Sequence, residues 1–498
     1  MSAAALEPIA YTIRFRAPAS HYAEVDMNVP TAGRASIDLL MPVWSPGFYR
    51  VENYYRQVQS LSARTPDGKP LKVVQPRKNR WQIETQGAPA VLVSYRLLCT
   101  SRSVTTNWVG DDLAVLNGPA TFVTLVERAH RPHQVRLELP ASWQRSMTGL
   151  DTAGDGSPHH YRATDYDTLV DSPIVAGNPA VQEFEVDGIK HYVVSAGDVN
   201  QWDYQRAVRD IEKIVREHRR MWGFLPFPKY VFLFLFRQGG GGLEHKNSTL
   251  VTANSSAMRV PGRYQSWLAL VSHEYFHAFN VKRLRPIELD PFDYENEVHT
   301  TSLWIAEGLT TYYGELIMSR AGLGSRLEFL SRLSSHIQDL QNSPGRLLQT
   351  LEQSSYEVWT NSFSGVRTDS RSVSYYIKGP VVAFLLDARI RRATGGSRSL
   401  DDVMKLAYQR YSGERGFTPE QFRRTAGEIA GVDLQEWFRK AVSSTQELDY
   451  SEALDWFGLR FAKSAPPSNK PWKLEIRQGA TDAQKDHLQS WLSVGPIR

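Results

Sequence analysis

The stretch Val271-Ser272-His273-Glu274-Tyr275-Phe276-His277-Ala278 constrains this chain more than any other. At 3.6 residues per turn, His273 and His277 stand one above the other on a single helical face. Trp267, Leu268, Leu270, Val271, Tyr275, Phe276 and Phe279 surround the pair with a broad apolar surface. Such a helix has to be buried, so the chain must build a core around two imidazoles. For one histidine alone, a core position satisfied by a nearby carbonyl would be the ordinary outcome. Two at this spacing can converge on one cation, and Glu274 projects beside the first, within reach of water at that cation.

This is the His-Glu-x-x-His arrangement of zinc hydrolases. With 13 histidines in 498 residues, on the order of 0.02 such matches are expected by chance. Two histidines leave zinc short of a third protein ligand, and a catalytic site wants three plus an open position. Glu307 is the best candidate, since Trp304-Ile305-Ala306-Glu307-Gly308 lies downstream at the start of a second helix.

Composition narrows the class. Hydrophobic content of 41% and charged content of 22% describe an ordinary globular chain, long enough for two to four domains. The net charge of +5 is small for the length. Its short clusters, Lys282 to Arg285 and Arg389 to Arg392, read as solvated helix ends, so no nucleic-acid partner is expected. The single cysteine, Cys99, excludes an internal disulfide and a cysteine metal site. Met1 to Pro8 lacks the basic region and apolar core of a signal peptide, and no stretch approaches a membrane span. A soluble cytoplasmic protein is the default expectation. A periplasmic or secreted form stays open if a signal was removed.

Residues 1–195 read as an N-terminal β-sandwich. Tyr11, Ile13 and Phe15 alternate, as do Val91, Val93 and Tyr95, with turn-rich breaks such as Thr65-Pro66-Asp67-Gly68. Asp187-Gly188 marks a hairpin between Phe184-Val186 and Tyr192-Val194. Met41-Pro42-Val43-Trp44-Ser45-Pro46-Gly47 is rigid, and reads as a sheet corner before it reads as part of a binding surface. From Asp203 the character changes, with helical spacing of Val208, Ile211, Ile214 and Val215 up to Gly223. The run Tyr230 to Phe236 is a buried strand, and it leads into the glycines 239–242 before Leu243-Glu244-His245. From about 325 the chain is mostly helical, with a capping box at Thr418-Pro419-Glu420-Gln421 and a further cap at Asp433. Ser464 to Asn469 reads as a linker.

The zinc motif together with Trp304 to Gly308 resembles the gluzincin peptidases, whose third ligand is a downstream Glu. The best match is the glycyl aminopeptidase family, a relative of the alanyl aminopeptidases and leukotriene A4 hydrolase. The 29 residues between His277 and Glu307 suit that family better than the larger group. Met41 to Gly47, Leu116-Asn117-Gly118 and Asp167 to Pro173 are similar to its N-terminal domain, and the resemblance covers roughly residues 8 to 461.

The resemblance implies an α+β multidomain fold. A β-sandwich at 1–195 would be followed by a thermolysin-like zinc catalytic domain at 196–324 and a helical domain at 325–461 that completes the site. Family members often end in a PDZ domain, and the 37 residues of 462–498 are too few for one. It also implies one zinc per chain on His273, His277 and Glu307, with Glu274 as general base. Gly241-Gly242-Leu243-Glu244 looks like the substrate-edge motif whose Glu binds a peptide's free α-amino group. Tyr375-Tyr376-Ile377-Lys378-Gly379-Pro380 looks like the element whose tyrosine donates to the oxyanion, with Tyr376 in register and Tyr375 as the fallback. The expected activity is removal of small N-terminal residues, Gly or Ala, from peptides with a free N-terminus. An endopeptidase of the same fold and a catalytically silent peptide-binding scaffold are the alternatives.

Overall fold

The computed structural model describes residues 6–127, 130–200, 202–360, 371–462 and 472–492. Contacts group the chain into two units. One comprises Met1–Trp202, Phe227–Ser256 and Phe292–Glu297, the other Asp203–Pro226, Ala257–Pro291 and Val298–Arg498. The segment 196–324 therefore contributes its strands to the first unit and its helices to the second.

In the first unit, eight strands form one sheet in which Ile9–Arg14 lies between His133–Glu138 and Tyr22–Pro30. Tyr11, Ile13, Val25, Met27, Val91, Val93 and Tyr95 share one core with Ile37, Leu39, Trp81 and Ile83 of a four-stranded sheet. The period-two alternation thus becomes a sandwich, each fully buried side chain contributing about 1.5–3 kcal/mol.

A five-stranded sheet follows. It contains β1 (Ala180–Val186), β2 (Ile189–Gly197), β3 (Lys229–Phe236), β4 (Gly241–Glu244) and β5 (Ser248–Ala253), in the order β1-β2-β3-β5-β4. The hairpin at Asp187-Gly188 opens this sheet. Both turn residues have positive φ, 51° and 75°, which matches the twist of the two strands. β3 runs parallel to β2 on one side and β5 on the other, which is why Tyr230 to Phe236 are apolar at every position. β4 pairs only with β5 and forms the sheet edge.

The second unit is helical. In α1 (Tyr204–Trp222), Asp203 accepts from Arg206 N at the start and Gly223 ends the helix in the left-handed region. α2 (Pro261–Phe276) carries the histidine motif. A π-helical turn, Trp304–Gly308, leads into α3 (Leu309–Arg320), and α4 (Tyr375–Ala393) crosses it. The capping box at Thr418 forms as the sequence implies. Asp433 stands one residue before the cap of Gln435–Ala441 and still accepts from Gln435 N at 2.8 Å.

After residue 461, Leu474–Ile476 pairs with Leu459–Phe461, and α5 (Asp482–Leu492) seats Trp491 in the helical core. The Trp491 Nε1–H donates to Tyr312 Oη at 2.7 Å. The linker expected at Ser464 to Asn469 lies outside the described residues. Among the described residues, no helix is long and apolar enough to cross a membrane.

Candidate active site

α2 ends at Phe276, and His277 is its C-cap with helical dihedrals of −61° and −23°. The i, i+4 geometry therefore survives although the helix stops one residue short of the second histidine. His277 Nδ1–H donates to Asn280 O at 3.0 Å. That bond fixes the tautomer of the neutral ring and leaves Nε2 as a bare lone pair. His277 Nε2 faces His273 Nε2 at 3.0 Å, and Glu307 Oε2 lies 3.2 Å from His277 Nε2 and 3.7 Å from His273 Nε2. Glu307 is 2% exposed, and its other oxygen, Oε1, has no hydrogen-bond partner among the described residues.

Three donor atoms converging in a buried place fit a metal. Tetrahedral coordination with bonds of about 2.0–2.1 Å spaces ligand atoms about 3.3 Å apart, close to the three separations seen. Without a cation, the lone pairs of two neutral imidazoles and a carboxylate would face one another. Burial lowers the pKa of His273 and favours its neutral, ligating form, against the opposing pull of Glu307. Burial alone would raise the Glu307 pKa, but the neighbouring His277 and His273 hold it below the usual carboxylate range. Glu274, next to His273, is 4% exposed.

The π-helical turn presents Glu307, and its loosened backbone is secured from the histidine side. Asn280 Nδ2 donates to Ile305 O, Ala306 O and Thr310 Oγ1 at 2.8, 3.2 and 3.0 Å. Asn280 thus orients one proposed ligand through its carbonyl and steadies another through its amide. A lone Asn three residues after a histidine gives no sequence signal for this. Gly308 and Gly379 bring α4 across the same turn. A Cβ on Gly308 would stand 2.7 Å from Gly379 Cα, and one on Gly379 would stand 2.6 Å from Gly308 Cα. Only paired glycines allow this crossing. It fixes the start of α4, where Ser374 Oγ accepts from Tyr376 N at 3.2 Å. Tyr375 is buried, at 2% exposure, whereas Tyr376 is half-buried.

The remaining sequence-selected residues lie in the first unit. Gly241 and Gly242 open β4 and Glu244 ends it, 4% exposed. The rigid stretch from Met41 is indeed a corner, following the strand Ser36–Leu40. Its Trp44 is fully buried and donates through Nε1 to Asp293 O at 2.7 Å. The corner also delivers Gly47, at φ +98°, against the Glu244 carboxylate. A Cβ there would stand 2.8 Å from Glu244 Cδ and closer still to Oε1. On the far side of Glu244, Asp171 accepts from His245 Nδ1–H at 3.1 Å and from Lys246 N at 2.7 Å. Gly47 and Asp171, neither singled out as a site residue, thus fix the Glu244 side chain and its following turn.

Gly47→Ala is expected to lower stability by about 1–3 kcal/mol through left-handed strain and overlap with the carboxylate. It should also erode any preference that depends on Glu244. Denaturant unfolding and the ratio of rates on free and N-acetylated substrates measure the two effects. An alanine variant with both unchanged would remove Gly47 from this role.

The fold is that of M1 peptidase-like multidomain proteins. Yeast leukotriene A4 hydrolase matches with a TM-score of 0.55 and 14% identity, over 89% of this chain and 68% of that one. An M1 zinc metallopeptidase from Deinococcus radiodurans, solved with a Tyr-Ser-Ala substrate, matches with a TM-score of 0.54 and 12% identity, over 89% and 95%. An aminopeptidase N family protein from Idiomarina loihiensis reaches a TM-score of 0.85 and 26% identity, over 93% of this chain and 82% of that one. No curated protein matches the chain.

Two family models match the sequence itself. The peptidase M61 N-terminal domain covers residues 10–178, and the M61 glycyl aminopeptidase model covers 266–382, more than half of the chain between them. The chain belongs to the M61 glycyl aminopeptidase family, and is a peptidase.

Proposed function

We propose that the chain is a zinc-dependent aminopeptidase of the gluzincin type, which removes small N-terminal residues, Gly or Ala, from peptides. The observation that carries this is the convergence of His273 Nε2, His277 Nε2 and Glu307 Oε2 beside the buried Glu274. One zinc per chain on those three atoms would lower the pKa of water and polarise a peptide carbonyl. Glu274 then takes the proton of the attacking water and returns it to the leaving amine. The Tyr376 phenol donates to the carbonyl oxygen as charge gathers on it, without adding charge to the resting site. Its partial exposure supports this choice over the buried Tyr375. Glu244 accepts from the substrate's α-ammonium and so limits cutting to the first peptide bond, while Gly241 and Gly242 admit the peptide backbone. In this reading residues 196–324 supply the metal ligands and 325–461 add Tyr376.

Purified protein is expected to hold about one zinc per chain. His273→Ala or His277→Ala should release it, as read by elemental analysis. Full occupancy in the double variant would refute the ligand set.

Specificity is tested with aminoacyl-amide substrates beside their N-acetylated forms, with and without chelator. The native protein should cut the free-amine forms and stop when chelated. Glu244→Ala should weaken catalysis on them by about ten- to a hundredfold, the loss of a contact worth roughly 1.5–3 kcal/mol. Acetylated forms should be poor substrates of both proteins. Internal cutting of blocked peptides as fast as trimming of free ones would make the chain an endopeptidase.

A further inference from the structure

Within the first unit, a cleft of about 830 Å³ opens at the carboxyl ends of the parallel strands β2, β3 and β5. That edge is where sheets with parallel strands collect ligands, and the size suits a small organic molecule. Two backbone bonds build its base. Arg237 N donates to Ala253 O at 2.7 Å and Asp198 N donates to Phe236 O at 2.8 Å. Arg237 is thereby fixed just past the end of β3. Its Nε is buried without a hydrogen-bond partner among the described residues.

A second guanidinium lines the same cleft. Arg102 lies over the Trp108 ring, with Cζ 3.6 Å from the centroid. Burial lowers the pKa of Arg237, and the charge of Arg102 lowers it further, so the two cations sense each other. Asp112 and Asp198 also line the cleft, yet among the described residues neither forms an ion pair with either arginine. Among the described residues, neither guanidinium has an ion-pair partner within 4.0 Å. Leu113, Val115, Leu235 and Phe236 form an apolar patch in a wall that Ser103, Thr106, Asn200 and Gln238 otherwise make polar. Two guanidiniums without an ion-pair partner, beside an apolar patch, suit a ligand with one acidic end and one apolar body.

We propose that this cleft binds a small organic oxyanion, a carboxylate or a phosphate monoester carrying an apolar group, with its charge at Arg102 and Arg237. None of the residues proposed for peptide hydrolysis lines it, so the site is separate in role from that chemistry.

The test is titration calorimetry on the full, metal-loaded chain with four probes: N-acetylphenylalanine, its carboxamide, phenyl phosphate and inorganic phosphate. The blocked amine of the first keeps it from acting as a free-amine substrate. At least one of the two organic anions should bind about tenfold or more tightly than the neutral carboxamide, and more tightly than inorganic phosphate. Whichever binds better identifies the acid group. Arg237→Gln and Arg102→Gln should each weaken that binding by about tenfold, whereas Arg237→Lys should retain part of it. Arg102 is exposed, so its variant keeps the test open if Arg237→Gln does not fold. Equal affinity for acid and carboxamide, no binding of either organic anion, or affinity unchanged in the Arg102 variant would overturn the proposal. The last result would place the anion elsewhere, for instance at the metal.

Discussion

Glu274→Gln is expected to abolish nearly all turnover while leaving fold and zinc content intact. The amide has the same shape and nearly the same volume as the carboxylate, so a residue only 4% exposed is replaced without a cavity. It cannot accept a proton at neutral pH, however, and general-base assistance accounts for about two to four orders of magnitude in rate. His273, His277 and Glu307 are untouched, so metal analysis should return the native value. Steady-state rates and elemental analysis on one preparation make the comparison. Substantial turnover would place the base on another residue. Metal loss would mean that Glu274 serves the ligand set and not proton transfer.

Tyr376→Phe is expected to lower kcat by roughly two to three orders of magnitude with KM less affected, the pattern of a donor that acts mainly in the transition state. Tyr375→Phe provides the contrast. That ring is buried, and its backbone lies at the Gly308–Gly379 crossing, so removing its hydroxyl should disturb packing more than turnover. The two tyrosines are neighbours with ring centroids 4.7 Å apart, which makes the assignment a question of register. A large kcat loss in Tyr375→Phe with near-native Tyr376→Phe would shift the register by one.

Much of this site was legible because it is local. His273, Glu274 and His277 lie within five residues, and helix periodicity alone puts the two rings on one face. The buried strand β3 and the alternating strands near Tyr11 and Val91 were equally readable, since burial on one or both faces imposes its own spacing on the apolar residues. The supporting residues were not. Asn280 matters through an amide that reaches Ile305 and Ala306 some 25 residues on. Gly47 matters because Glu244, nearly 200 residues later, occupies the space its side chain would need. Neither has a periodicity to reveal it.

The sequence by itself determined which residues are candidates for chemistry, which segments are strand or helix, and to which family the chain is related. These follow from short-range rules of helical and strand period, capping and turn chemistry. Only the tertiary structure decided how the hairpin at Asp187 joins β3 and β5 in one sheet, and how residues 474–492 close back onto the helical unit through Trp491. It alone brought Glu307 within 3.2 Å of His277. Such pairings depend on shape complementarity between segments far apart in the chain. A local pattern specifies that a surface must be buried, but not which distant surface will cover it.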